Sequence, residues 1–410
     1  MLNKMMGYFF SKVRYSKIND PFKEFNRLKK ESKVKNLRKE EGGQVKGNIL
    51  VLPIRVSPTS NLFEGLLGYA LSLRGYKVSS LLDGGYLDIS ENNSIDSNSF
   101  ISTALSVYEQ SRFCRIFNQQ PIYFQGLITS DELTVVKHSL KSLNFNELKS
   151  YTYKDIQVGT HAKFGLMRYL KRETIDETHR VLLIKFIITA VKCLLATESV
   201  IKNVKPKHAI ISHGCYSTWG TALEVLNKHK VHTIVWGRGY VSGGNMLLSH
   251  NASYLYEYIH EPNEYWNKET LDSAQNARVL NYYNQKRSPQ NKVDGISYYK
   301  KSPNEYELSQ LRSKISKFDS CIGIYPNIPW DGTMFSGTNS FPSIRSFVES
   351  LHSYIIKNSN VHFIVRCHPA EVNNSGYDTN ETFLEIFNQV FLNSLDNVTI
   401  IAPENSINSY

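Results

Sequence analysis

The sequence predicts an α/β chain of two domains, each built on a parallel sheet. Two stretches carry that expectation. His208-Ala-Ile-Ile-Ser-His213-Gly214 is one, and Val361-His-Phe-Ile-Val365, followed by Arg366-Cys-His368-Pro369, is the other. Both are apolar runs of strand length that stop abruptly at His with Gly or Pro, and each leads through a polar turn into a helical pattern. In open α/β sheets, ligands bind at the carboxyl ends of strands, where such turns lie. A length of 410 residues leaves room for two such domains. The expected division is a basic leader over 1–46, a first domain over 47–262, a helical linker over 263–316 and a second domain over 317–410.

Element by element, folded structure is expected to start with the apolar run Asn48-Ile-Leu-Val-Leu-Pro53. A helix follows from Leu62 to Arg74, its apolar stripe formed by Phe63, Leu66, Leu67, Ala70 and Leu71. Asn61 with Glu64 three positions on matches a capping box, and Gly75 suits the C-cap. Tyr76–Leu82 is the second strand, closed by Asp83-Gly-Gly85, so strand, helix and strand make a βαβ unit. Residues 90–180 read as a helical insertion without strand alternation, and 181–196 as a buried helix broken by Lys185 and Lys192. That apolar segment is shorter than the roughly 20 residues needed to span a bilayer. Strand 207–212, helix 218–230 and strand 231–236 follow, the last leaving through Gly237-Arg238-Gly239-Tyr240. In the second domain the pattern gives strands at 320–325, 361–365 and 397–401 and helices over 341–357 and 381–395. Pro342 suits a helix's first turn.

Charge is unevenly placed. Residues 1–46 hold 13 Lys or Arg against 5 Asp or Glu, so +8 of the net +11 lies there and the rest is nearly neutral. A neutral body argues against nucleic acid as a partner. Phe22, Phe25 and Leu28 recur at helical spacing among Lys23, Arg27, Lys29 and Lys30. The leader is therefore either a solvated, disordered extension or a basic amphipathic helix lying on an anionic membrane surface. It lacks the apolar core and cleavage site of a secretory signal. Five scattered cysteines form no CxxC pair, so neither a disulfide framework nor a zinc site is signalled. A cytoplasmic location is expected, peripheral at the inner face of the cell membrane if the leader lies on lipid.

Chemistry concentrates at the strand ends. His213-Gly214 precedes a helix start, a place for an anion or a sugar hydroxyl, and Gly214 permits close backbone approach. Arg238 stands between two glycines, where a guanidinium suits phosphate. Arg366 and His368 end a buried strand and, if extended, project to the same side, a phosphate or diphosphate contact. The loop from Pro326 to Phe335 carries Trp330, able to stack on a sugar or base, and Asp331, able to orient hydroxyls. Glu64, Asp83 and Glu371 are further carboxylates near strand ends, and spacing does not single out a general base. A phosphate-binding P-loop, a nucleophile elbow, a zincin helix and an Asp-x-Asp are all missing from the sequence. That leaves a metal-independent reading, with no cofactor expected.

The run Ser212-His213-Gly214-Cys-Tyr-Ser-Thr-Trp-Gly220 and the Trp-Gly-Arg238-Gly-Tyr loop resemble bacterial capsule and surface polysaccharide biosynthesis proteins. So do Tyr325-Pro-Asn-Ile-Pro-Trp-Asp331-Gly and Arg366-Cys-His368-Pro. That group is similar to GT-B glycosyltransferases, including Kdo-transferase-like enzymes, and the resemblance covers roughly residues 48–410. The Arg-x-His-Pro also resembles that of teichoic-acid polymerases. The resemblance implies two Rossmann-like domains with a nucleotide-activated sugar between them, transferred to a glycan or lipid-linked acceptor. On that reading His213 and Asp331 are catalytic, and Gly214, Arg238, Trp330, Arg366, His368 and Glu371 bind substrate. The family pattern continues past the equivalent of 406–410 and does not include the basic leader. The second domain is therefore expected to be incomplete, its apolar edge beyond 397–401 bare. An inactive polysaccharide-binding or export-coupling protein of this fold and a sugar-nucleotide epimerase are the alternatives to a glycosyltransferase.

Overall fold

The structure, a computed structural model, describes residues 45–54, 58–91, 99–239, 246–250, 267–287, 302–331, 340–372 and 379–407, with residue 264 and part of the first 27. The chain forms two units. The first comprises Met1–Tyr169, Asp176–Gly237 and Leu248–Tyr258, the second Leu170–Ile175, Arg238–Leu247 and Ile259–Tyr410.

The first unit opens with β1 (Asn48–Ile54), α1 (Pro58–Leu73) and β2 (Lys77–Leu82). Then come α2 (Ser99–Phe117), β3 (Gln120–Tyr123), α3 (Ser130–Ser142), α4 (Phe145–Lys149), α5 (Val158–Leu170) and α6 (Arg180–Val204). It ends with β4 (His208–Ser212), α7 (Thr221–Lys228), β5 (His232–Arg238) and β6 (Met246–His250). The six strands form one sheet in the order β3-β2-β1-β4-β5-β6. The pairings β1 to β2, β1 to β4, β2 to β3 and β4 to β5 are all parallel. This is the strand order of a Rossmann-type sheet. All but the first residues of β1 and β2 are buried; β1 is accordingly a near-continuous apolar run, while β2 also buries Ser79 and Ser80. α6 is apolar almost all round for the same reason, with Phe186, Ile187, Ala190, Val191, Leu194 and Val200 buried. Among the described residues no helix is long and apolar enough to cross a membrane.

Four expectations change here. α1 begins at Pro58, so Asn61 and Glu64 lie inside the helix and do not cap it; proline is well suited to a first helical position. The stretch expected as purely helical contributes β3 to the sheet, with Ser80 opposite Pro121. β3 is an edge strand, where a missing N–H is tolerated. β6 was not legible as a strand. Finally, Phe22, expected on a membrane or in solvent, is fully buried beside Tyr69, Leu82, Phe113 and Phe117, with Phe25 stacked on Phe117 at 4.7 Å. Ser11 donates to Glu109 over 3.0 Å, and Asp20 pairs with Arg112. Leu28 lies outside the described residues. Phe22 and Phe25 thus pack on α1 and α2.

The second unit contains α8 (Ser273–Arg287), α9 (Glu305–Ile315), β7 (Ser320–Ile324), α10 (Ile344–Lys357), β8 (Val361–Arg366), α11 (Phe383–Val390) and β9 (Val398–Ile401). Its strands form a parallel sheet in the order β7-β8-β9. Ile344, Val348, Leu351 and Ile355 of α10, at helical spacing, pack with Phe363, Val365, Phe383 and Phe387 into its core. Capping boxes at Ser343 and Thr382 start α10 and α11. The bare edge does not fall at β9. α9 flanks that strand, Lys314 Nζ donating to the Val398 carbonyl over 2.9 Å. The exposed strand is β7, with Cys321 in the open and Ile322 39% exposed, although its sequence had suggested burial on both faces.

Candidate functional site

In the six-stranded sheet the strand order reverses between β1 and β4, and a crevice at such a reversal, outside the carboxyl ends, is where open α/β sheets hold ligands. β4 ends there at Ser212. The backbone then passes through His213 (φ 53°), Gly214 (φ 75°) and Tyr216 (φ 70°), all left-handed. For a residue other than glycine that conformation costs roughly 1–2 kcal/mol. A five-residue π-turn, Tyr216–Gly220, follows and merges into α7. Left-handed residues and π-turns concentrate at functional sites, because surrounding contacts must hold them in place.

Those contacts are present. The His213 N–H donates to the Trp236 carbonyl at the end of β5 over 2.9 Å. Its Nδ1 lies 2.5 Å from Ser212 Oγ, and its ring stacks on Trp219 with centroids 5.6 Å apart. Arg168 donates to the Tyr216 hydroxyl over 3.0 Å and lies 5.0 Å over the same ring. Thr218 Oγ1 donates to Glu91, which is 3% exposed and whose pKa burial raises. Gly220 approaches His161 so closely that a Cβ would stand 2.4 Å from its Nδ1. His161 Nε2 in turn sits 2.7 Å from Glu224 on α7.

Beside this turn lies Glu64 on α1, 1% exposed. Its Oε1 accepts the indole N–H of Trp236 over 3.1 Å. Trp236 therefore joins the two functional candidates, its ring N–H on Glu64 and its carbonyl on the backbone of His213. Burial pushes the Glu64 pKa up to about 8, and the indole bond offsets only part of that. A carboxyl group that titrates near neutrality can both accept and return a proton. Asp83, by contrast, is spent locally: it is fully buried, accepts from Gln110 and caps the turn at Leu87.

The second unit brings several expected residues together. Arg366 is 3% exposed, and four of its N–H donors go to the carbonyls of Cys367, Ala402, Asn405 and Ile407. A guanidinium has five such donors, so the fork expected on a phosphate grips the segment that follows β9. Trp330 is 5% exposed with its N–H on Thr379 Oγ1 at 3.1 Å, which makes its ring part of the packing and not a stacking platform. Glu371 is 2% exposed, caps α11 through the Phe383 N–H at 2.7 Å, and is pushed up to about 7 by burial. His368 accepts the Ala370 N–H on Nδ1 at 3.1 Å, a contact that places its ring proton on Nε2. Burial lowers its pKa, and the Asp331 carboxylate opposes that shift, so the two charges lie within reach of each other. Of Arg238 only the backbone is described, at the end of β5. Among the described residues no group of three or more His, Cys, Asp or Glu could hold a metal.

Sequence reasoning named Glu64 without ranking it and missed Trp236, Trp219, Glu91 and Arg168. A Trp at the end of β5 and a Glu on the first βα helix could have signalled the pair once β1, β4 and β5 were placed side by side. Glu91 sits in a polar turn and gave no signal.

No protein-family model and no curated protein matches the chain. Among solved structures it is similar to UDP-GlcNAc 2-epimerase from Neisseria meningitidis bound to UDP-GlcNAc, at 9% identity over 87% of this chain and 72% of that one, TM-score 0.23. It is likewise similar to the S. aureus MnaA–UDP co-structure, at 11% identity over 87% and 68% of the two chains, TM-score 0.23. A third, a UDP-N-acetylglucosamine 2-epimerase, gives 10% identity over 87% and 68%, TM-score 0.22. Likenesses this distant say nothing of what the chain does, whereas its own strand order makes it an α/β protein of two Rossmann-like units.

Proposed function

We propose that the protein is a metal-independent glycosyltransferase that takes a sugar from a nucleotide-activated donor during capsule or surface polysaccharide assembly. The observation that supports this reading best is the Glu64–Trp236–His213 cluster at the strand-order reversal of the six-stranded sheet. Glu64 is the acid–base group: raised to about 8, its carboxyl is mostly protonated at neutral pH, able to give a proton to a leaving oxygen and, once ionised, to take one from an attacking hydroxyl. In this reading the His213–Gly214 turn meets the sugar or its phosphate through the imidazole, since the His213 N–H is held by the Trp236 carbonyl and the Gly214 N–H by the Ser212 carbonyl. Arg238 is the last residue of β5, the strand beside β4, and is the proposed phosphate contact. Asp331 and His368 supply the polar contacts of the second unit. Arg366, Trp330 and Glu371 act on those contacts indirectly, by fixing the loops that carry them. A glycan or lipid-linked acceptor completes the reaction. Association with an anionic membrane surface would rest on the cations of residues 1–46, since Phe22 and Phe25 are engaged internally.

A sugar-nucleotide epimerase is the second reading. Glu64 supports it as well, because a carboxyl group titrating near pH 8 can remove a proton from a sugar carbon and return it without any acceptor. Incubation with UDP-, CMP- and GDP-sugars separates the readings. Nucleotide release that depends on an acceptor supports transfer, and interconversion of the free donor supports epimerisation. Glycan binding without nucleotide-sugar binding would support a non-catalytic role, and a chain that binds none of these donors contradicts both enzyme readings.

A further inference from the structure

At the opposite, amino-terminal end of the six-stranded sheet, His208 opens β4 and His232 opens β5, and the parallel register sets them side by side. Their Nδ1 atoms are 3.1 Å apart, with ring centroids at 5.0 Å and planes at 85°. Both rings are half-buried, so solvent reaches them. We propose that this pair chelates one borderline divalent transition-metal ion, Cu²⁺ or Ni²⁺ ahead of Zn²⁺, and so clips the starts of β4 and β5 together. The proposal is independent of the reaction assigned above.

The spacing carries it. Metal–imidazole bonds are about 2.0–2.1 Å. Two such nitrogens in adjacent positions therefore stand about 2.9 Å apart at a right angle and about 3.3 Å apart at the tetrahedral angle. The observed 3.1 Å falls inside that interval. The ladder bonds between β4 and β5 already fix the backbone, so the ion is admitted by ring rotation and not by a shift of the strands. With the site empty, one Nδ1–H donates to the other Nδ1. On binding, that proton moves to Nε2 of the same ring through solvent, and both ligands are neutral imidazoles.

The surroundings select the class of ion. Lys207 stands next to His208 in the chain, and its charge opposes every cation. Affinity must then come from coordination bonds, which disfavours Mg²⁺ and Ca²⁺, whose preference is for oxygen. Nitrogen ligands at near-right angles with water in the remaining positions suit Cu²⁺ and Ni²⁺, which also lie highest in the affinity order. With no third protein ligand gathered among the described residues, the site is an open two-point clip and not a closed structural cage.

The test uses the full chain at neutral pH. Thermal unfolding is followed with Ni²⁺ or Cu²⁺ added in excess, with Mg²⁺ and with EDTA. The expected result is a Tm rise of at least about 2 °C with Ni²⁺ or Cu²⁺ and none with Mg²⁺. That rise should be lost in both His208→Asn and His232→Asn. Electron paramagnetic resonance of the Cu²⁺-loaded wild type should show two coordinated imidazole nitrogens, and this measurement stands if a variant does not fold. An equal Tm rise in the wild type and both variants would place the ion on other histidines and overturn the proposal. So would a wild type without the rise, or one lacking the two-nitrogen signal.

Discussion

A carboxyl group with a pKa near 8 leaves a signature in stability. Glu64 has an ordinary value of 4.5 and a folded value of about 8, so between these pH values the folded chain holds a proton that the unfolded chain has lost. The contribution of Glu64 to stability therefore falls as pH rises from 4.5 to about 8, with a slope of at most about 1.4 kcal/mol per pH unit. Glu64→Gln keeps an acceptor for the Trp236 indole but cannot ionise. It should flatten that slope and be the more stable protein at pH 8, by roughly 1–3 kcal/mol. Urea midpoints at pH 5.5 and pH 8 check this, and an unchanged slope would show that Glu64 ionises normally. Arg366 carries a prediction of opposite kind. Arg366→Ala strips four carbonyls of their donor; the bond to Cys367 is buried, where an unpaired group costs about 1–3 kcal/mol, and the three to Ala402, Asn405 and Ile407 are part-buried and cost less. We expect a strongly destabilised second unit, with early proteolysis after Ile401. An alanine variant that unfolds like the wild type but loses nucleotide would instead return Arg366 to phosphate binding.

At the scale of elements, the turn after β4 is held by contacts that can be broken singly. Gly220→Ala would drive a methyl group into His161 and the Cys215 backbone. Overpacking of this kind costs typically 1–3 kcal/mol, and here it should also displace His213. The check is a lower unfolding midpoint together with lost activity, where a peripheral turn would lose stability alone. The leader gives a second prediction. Phe22→Ala should destabilise the first unit by about 3–5 kcal/mol, because Phe22 fills a core formed with Phe113 and Phe117. Leader residues that bind lipid and pack on nothing would leave the urea midpoint where it is. These two elements also show where sequence reading stopped. The Phe22, Phe25 and Leu28 spacing reads as an amphipathic helix, but an apolar stripe does not say whether lipid or protein covers it, and Leu28 lies outside the described residues. β3 was hidden because four residues with a proline carry too little alternation to register. β1, β4 and β8 were legible because strands of a parallel sheet covered on both faces are rich in apolar residues, here the runs at 49–52, 209–211 and 363–365.

On the scale of the whole molecule, both α/β units were visible in the sequence because each repeats the same punctuation, an apolar strand, a polar stop and an amphipathic helix. The candidate site was visible only in part. His213 and Gly214 could be read from a strand end, whereas the role of Glu64 depends on which strands are neighbours, and strand order is not written in any one segment. Arg366 shows a related limit: a charged residue after a buried strand can face a ligand or its own C-terminal loop, and only the packing decides. The central claim is that the reversal between β1 and β4 holds the chemistry, with Glu64 as its acid–base group. Turnover of UDP-, CMP- and GDP-sugars by the wild type and Glu64→Gln, with donor binding measured in parallel, tests it most directly. The account predicts that the variant binds donor as the wild type does and turns it over at least about a hundredfold more slowly. A variant that turns donor over at the wild-type rate would contradict it.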